Sequence, residues 1–150
     1  MAQLPLAARI YVVTVIAAAC PVLVLAALKI DRSLIPAVVI LGLLYLVSES
    51  MSARGVRDLL SISLGSVTVL AAFPLVGAWG AILVPWTSAF ALERHKSSPV
   101  KRAFNGGQLV LTAAASGAAY HFSGGQVGAI DWSFPGALWP MLVANVVHCL

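Results

Sequence analysis

Residues 59–92 read LLSISLGSVTVLAAFPLVGAWGAILVPWTSAFAL, 34 residues without a single Lys, Arg, Asp or Glu. A surface helix of a soluble domain keeps a wet face and carries charge on it. This stretch has no such face to offer. One membrane crossing takes about 20 apolar residues for about 30 Å of hydrocarbon, so the run is too long for one span and barely enough for two. Val76-Gly77-Ala78 supplies a tight turn near its middle. The reading is therefore two spans, about 59–75 and 78–92, with a single tilted helix plus a re-entrant piece as the rival.

The same pattern extends in both directions. Residues 10–28, 33–48, 103–130 and 132–150 also lack all four charged types, and the chain's charges fall in short clusters between these runs. Hydrophobic residues make up 61% and charged residues 9%, against about half and about a quarter in ordinary soluble domains. The expected fold is all-α: one integral membrane domain over 1–150, a polytopic bundle of five to six transmembrane helices. Further spans are read at about 8–28, 34–48, 103–122 and 136–150. Pro21 is expected to kink the first, and Pro36 falls in the first turn of the second, where its missing N–H costs nothing. The last span has roughly 15 residues and would cover roughly 22 Å. It is expected to be a partial helix, or the end of a piece cut from a longer protein.

Lys and Arg in short loops set orientation. Arg94, Lys96, Lys101 and Arg102 fill the connection before the fifth span, which is expected on the cytoplasmic side. Counting spans from there adds Arg9, Arg54 and Arg57 inside and leaves Lys29 and Arg32 outside, seven against two of the nine basic residues. Reading 59–92 as one span moves Arg54 and Arg57 outside and weakens that asymmetry. Both chain ends are then cytoplasmic. Trp79, Trp132 and Trp139 fall near predicted outer span ends, where indoles settle at the headgroup level.

Several function classes find no footing. No Gly-rich nucleotide loop, HExxH or HD pair occurs, and no basic stripe with interleaved aromatics suggests nucleic acid. No catalytic residue, cofactor or metal site is expected. Cys20 and Cys149 sit alone in apolar runs and read as small apolar fillers. The Ala17-Ala18-Ala19-Cys20 run is not taken as a lipoprotein signal, because the apolar run continues past Cys20 and exceeds a signal core of about 7–15 residues.

Polar groups inside the apolar runs are the candidate site. Asn105 and Gln108 lie three apart at the start of the fifth span, hence on one helix face, with amides that need partners. Tyr120 and His121 end that span, and Asn145 and His148 lie three apart on the last. Asn105, Gln108, Tyr120 and Asn145 are the candidate ligand- or signal-sensing residues, with helix-to-helix hydrogen bonding as their structural alternative. Glu49 at the inner end of the second span is read as a carboxylate at the interface near basic residues, with an ion pair to Arg54 or Arg57 or a binding role as the alternatives. Gly106-Gly107 and Ala113 through Gly117 give the fifth span a face of small residues, which lets helices approach closely in lipid.

Taken in order, Leu4-Pro5-Leu6-Ala7-Ala8-Arg9, Val56–Leu75 followed by Val76-Gly77-Ala78, Pro99-Val100-Lys101-Arg102-Ala103-Phe104-Asn105-Gly106-Gly107-Gln108-Leu109, Ser116-Gly117-Ala118-Ala119-Tyr120 and Gly124-Gly125, with Asn145 in the last span, form a set. Together they resemble the N-terminal multi-helix membrane regions of bacterial, particularly actinobacterial, HD-GYP or GGDEF signalling proteins. The resemblance implies a non-catalytic sensor or anchor that couples signal perception to cyclic-dinucleotide chemistry in a cytoplasmic domain, fused or separate. That domain and its motifs are missing from this chain, so no catalytic residue carries over. The implied partners are the lipid bilayer and that signalling domain, and a homodimer is compatible with the role. The alternative is a small-solute transporter, or the substrate-binding membrane subunit of an energy-coupling transporter, whose six-helix size and polarity are comparable.

In a variant lacking Cys20 and Cys149, single cysteines placed at Arg94, Lys96, Lys101 or Arg102 should escape a membrane-impermeant thiol reagent in intact cells and react after lysis. Strong labelling of intact cells would reverse the orientation.

Overall fold

The computed structural model describes residues 5–52, 64–90, 98–128, 136 and 138–149. Arg54, Arg57, Arg94, Lys96 and Trp132 lie outside the described residues. The described chain is all-helical: α1 (Leu6–Lys29), α2 (Ile35–Ser52), α3 (Leu64–Leu83), α4 (Pro99–Phe122) and α5 (Leu138–Cys149). Short 3₁₀ segments, Arg32–Leu34 and Pro85–Phe90, precede α2 and follow α3. Three segments are individually long and apolar enough to cross a membrane, namely Leu6–Lys29, Arg32–Glu49 and Gly65–Leu83. That is fewer than the five to six expected, and composition and length explain the shortfall. α4 has 24 residues, but Lys101, Arg102, Asn105, Gln108 and five Ser, Gly and His positions dilute its hydropathy. α5 has 12 residues, about 18 Å of helix.

Helix boundaries follow local chemistry. α1 runs through Pro21 and ends where Ile30 turns extended, its N–H still donating to Ala26 O. The Asp31 side chain then accepts the Ser33 N–H at 2.9 Å and caps the next turn. That hydrogen bond holds the Asp31 carboxyl below its ordinary range, because it favours the charged form. α4 starts on Ser98, whose Oγ accepts from the Lys101 N–H, with Pro99 at the first helical position. It ends with Gly124 at φ 92, a left-handed residue just past the helix.

Inside α3, Gly77 has φ 73 and ψ 175 and is not helical. A β-carbon on Gly80 would stand 2.8 Å from that of Val76, whereas residues four apart on a regular helix hold theirs about 5–6 Å apart. The axis therefore bends sharply at Gly77, the middle of the Val76-Gly77-Ala78 turn read from sequence. Beyond the bend, Gly80 meets Val38 and Gly42 meets Thr87, so the second arm runs alongside α2 in the same direction. Thr87 Oγ1 donates to Gly42 O at 2.9 Å and stitches the two together. Against α4 the order is reversed: Ala78 faces Gly117 and Trp86 faces Gly106. α1 runs parallel to α4, with Tyr11 edge-on to Phe104 at 5.6 Å and Val15 and Ala19 against Gly107.

α4 is the hub, packed by α1, α3, α5 and the Pro85–Phe90 segment. Its buried face is Gly106, Gly107, Val110, Ala113, Ser116, Gly117 and Tyr120, the small-residue face visible in the sequence. A methyl added to Gly117 would stand 3.0 Å from the Ala78 methyl, so the helices approach almost backbone to backbone. The outer faces are the opposite. Ile10, Val13, Leu28, Ile40, Leu43, Leu44 and Leu142 are each more than half exposed. In water each such side chain would forgo about 1.5–3 kcal/mol of burial. A helix whose buried face is mostly small residues, in a bundle that leaves large apolar side chains outside, departs from the water-soluble arrangement.

Gly77→Ala should lower the stability of the detergent-solubilised protein by about 1–3 kcal/mol, since this φ/ψ region is essentially reserved for glycine. The new methyl would also meet Val127 at 3.2 Å. Thermal unfolding followed by circular dichroism measures it, and an unchanged midpoint would mean that the bend is not strained.

Candidate ligand cavity

The bend at Gly77 leaves a carbonyl without its helical partner, because Pro74 O would otherwise accept from Ala78. The Gly128 N–H donates to it instead, at 2.9 Å. This bond draws the 123–128 segment across the bend and lays Val127 against Gly77. Tyr120 holds the same segment from below. Its hydroxyl donates to Gln126 O at 2.8 Å, and its ring stacks on Phe73 with centroids 5.7 Å apart. Gly125 lies flat on that ring, where no side chain would fit.

Between this strap and the neighbouring helices lies a cavity of about 640 Å³, within the range of about 300–1,000 Å³ typical of small-molecule sites. α1 contributes Val22, Leu25 and Lys29, and the following turn contributes Ile30, Asp31 and Leu34. The Gly77 bend brings in Trp79 and Ile82, α4 brings Ala114, Ala118 and His121, and the strap brings Val127. The lining is mostly apolar. Its charged and titratable groups, Lys29, Asp31 and His121, all sit at helix ends, so the polar part is the mouth. Lys29 and Asp31 are exposed there.

The sequence candidates do not converge on this cavity. Tyr120 is 2% exposed and works as the strap's anchor. Asn105 is half-buried and Gln108 exposed near the other end of α4, about 20 Å from Tyr120 along the helix axis. Asn145 is exposed on α5 and accepts a long 3.8 Å contact from the Cys149 thiol. Lys101 is exposed and Arg102 half-buried in the first turn of α4. Glu49 is half-buried near the end of α2. His148 meets fully buried Ser116 through Nδ1 at 3.4 Å, while Ser116 Oγ donates to Thr112 O at 2.8 Å, so this polar pair ties α5 to α4.

Sequence reasoning missed Lys29, Asp31, Trp79 and Val127. A signal existed: the charged 29–32 loop, the Gly77 turn and the Gly124-Gly125 pair were all assigned to one end of the bundle. Which of them share a wall depends on the lateral order of helices, which hydropathy does not carry. Among the described residues, no three His, Cys, Asp or Glu side chains gather as a metal site.

Comparison with family models, with curated proteins and with solved structures finds no match for this chain.

Tyr120→Phe keeps the ring stack and deletes the bond to Gln126. It should cost about 1 kcal/mol and increase hydrogen exchange at the Gly125 and Gly128 amides. Mass spectrometry reads both, and unchanged protection would show that the strap does not depend on Tyr120.

Proposed function

We propose that this chain is a non-catalytic membrane module that perceives a small ligand in the Gly77 cavity and passes the signal to a cytoplasmic domain, fused or separate. The single observation that carries this reading is the cavity itself: a ligand-sized, apolar space with a polar mouth, set at one end of a bundle whose outside is apolar. The resemblance to the membrane regions of HD-GYP and GGDEF proteins supplies the proposed output, cyclic-dinucleotide chemistry.

In this reading α1 and α2 cross a bacterial inner membrane, the two arms on either side of Gly77 reach the outer face and return, and α4 crosses in the centre. A central helix needs little hydropathy of its own, because neighbours rather than lipid surround it. The mouth with Lys29, Asp31 and His121 then opens outward. The strongly basic loop before α4 faces the cytoplasm, as does the N-terminus. Helices that meet at the cavity are joined through α4 to α5, which offers a mechanical route from ligand to the inner side. The second reading, a substrate-binding subunit of a transporter, is favoured by the same cavity. It differs in requiring that the ligand cross the membrane.

Purified protein in nanodiscs should be stabilised by a component of a metabolite mixture, by about 2.7 kcal/mol at a hundredfold excess over Kd. Ala118→Trp, which fills the cavity from the exposed side of α4, should abolish the response while leaving the unliganded midpoint near wild type. No response in the wild type, or an equal response in the filled variant, would remove the ligand-sensing reading. Saturable uptake of the same ligand into vesicles with an ATPase partner would favour the transporter.

A further inference from the structure

We propose that the cavity takes a zwitterionic amphiphile, an α-amino acid with a long apolar side chain in its simplest form; this rests on the ligand-binding reading above. The wall has two zones. On α1 it runs from Val22 to Lys29, and on α4 from Ala114 to His121, and the two helices are parallel. Each path spans seven residue-to-residue rises of helix, so the apolar zone reaches about 10 Å below the charged mouth. Ile82 and Trp79 close the third side. A ligand that fills this space carries an apolar body of about that length and a compact polar head.

The mouth selects the head. Lys29 and Asp31 both line it and carry opposite charge. No ion pair joins them: Asp31 gives an oxygen to the Ser33 N–H, and Lys29 has no partner among the described residues. A purely anionic head gains from Lys29 and is repelled by Asp31. A cationic head meets the reverse. An ammonium and a carboxylate on one carbon satisfy both residues and leave no net charge beside the apolar zone. The C-terminal ends of α1 and α4 also open at this mouth, and their partial negative charge favours an ammonium. His121 is the remaining titratable group there and, when neutral, offers a donor or an acceptor to the head.

The test uses the full chain in nanodiscs and thermal shifts with four probes of equal chain length: 2-aminodecanoate, decanoate, decylamine and decanol. The zwitterion should stabilise at concentrations at least tenfold lower than the other three. Lys29→Met should weaken the zwitterion at least tenfold and spare decylamine. Asp31→Asn, which keeps a capping side chain for Ser33, should weaken the zwitterion and improve decanoate. Ala118→Trp should abolish every response. Decanol acting as well as the zwitterion, or charge variants leaving the order unchanged, would overturn the proposal. So would a metabolite of another class binding at the cavity while all four probes fail, and that outcome leaves the sensor reading intact. No cavity-dependent ligand of any kind would sink both.

Discussion

At Gly77 the backbone adopts φ 73 and ψ 175, and nearly every feature at that end of the molecule depends on this one residue. The bend frees Pro74 O, which captures the Gly128 amide. That capture positions Val127, which closes one side of the cavity. It also turns the second arm of α3 so that Ala78 meets Gly117 and Trp86 meets Gly106. A side chain at position 77 would be strained in this conformation and would press on Val127. Backbone geometry, hydrogen bonding and cavity shape are thus linked through a residue that contributes no side chain.

The second constraint is contact distance along α4. Gly106, Gly107 and Gly117 admit Trp86, Ala19 and Ala78 close to the helix axis. Without those approaches α1 and the broken α3 could not both pack on one helix. In lipid such packing has to supply the association energy, because tails are already apolar and burying Leu gains little. The observed distribution agrees with that logic: Ala, Gly and Ser make up most of the buried face of α4, and Leu, Ile and Val cover α1 and α2 outside. The price is a cavity near the bend, where the small residues Ala114 and Ala118 face the gap left between α1 and α3.

Polar groups divide into two kinds. Tyr120 and Thr87 spend their hydroxyls on carbonyls of other segments and hold them in place, while Ser116 and Ser123 bond back to carbonyls of α4 itself. Lys29 and Asp31 sit at the mouth with charge to spare. The first kind serves the packing and the second lines the cavity mouth. Tyr120 looked like a sensing residue because an aromatic hydroxyl ends an apolar helix; its partner, the Gln126 carbonyl, lies six residues away in a loop that hydropathy treats as featureless.

Charge-free runs and glycine placement were enough to read the helical character of the described residues, the interruption at Val76-Gly77-Ala78 and the small-residue face of α4. These are local properties: periodicity, turn chemistry and composition act within about 20 residues. The number of helices that can each stand alone in a membrane was overread, because α4 owes its place to neighbours and α5 is short. The cavity was not legible at all. It arises where α1, the bend and the end of α4 come together, and only tertiary packing decides which helix lies beside which. Residues such as Lys29 and Ala114 acquire a shared wall from that arrangement and from nothing in their own sequence surroundings.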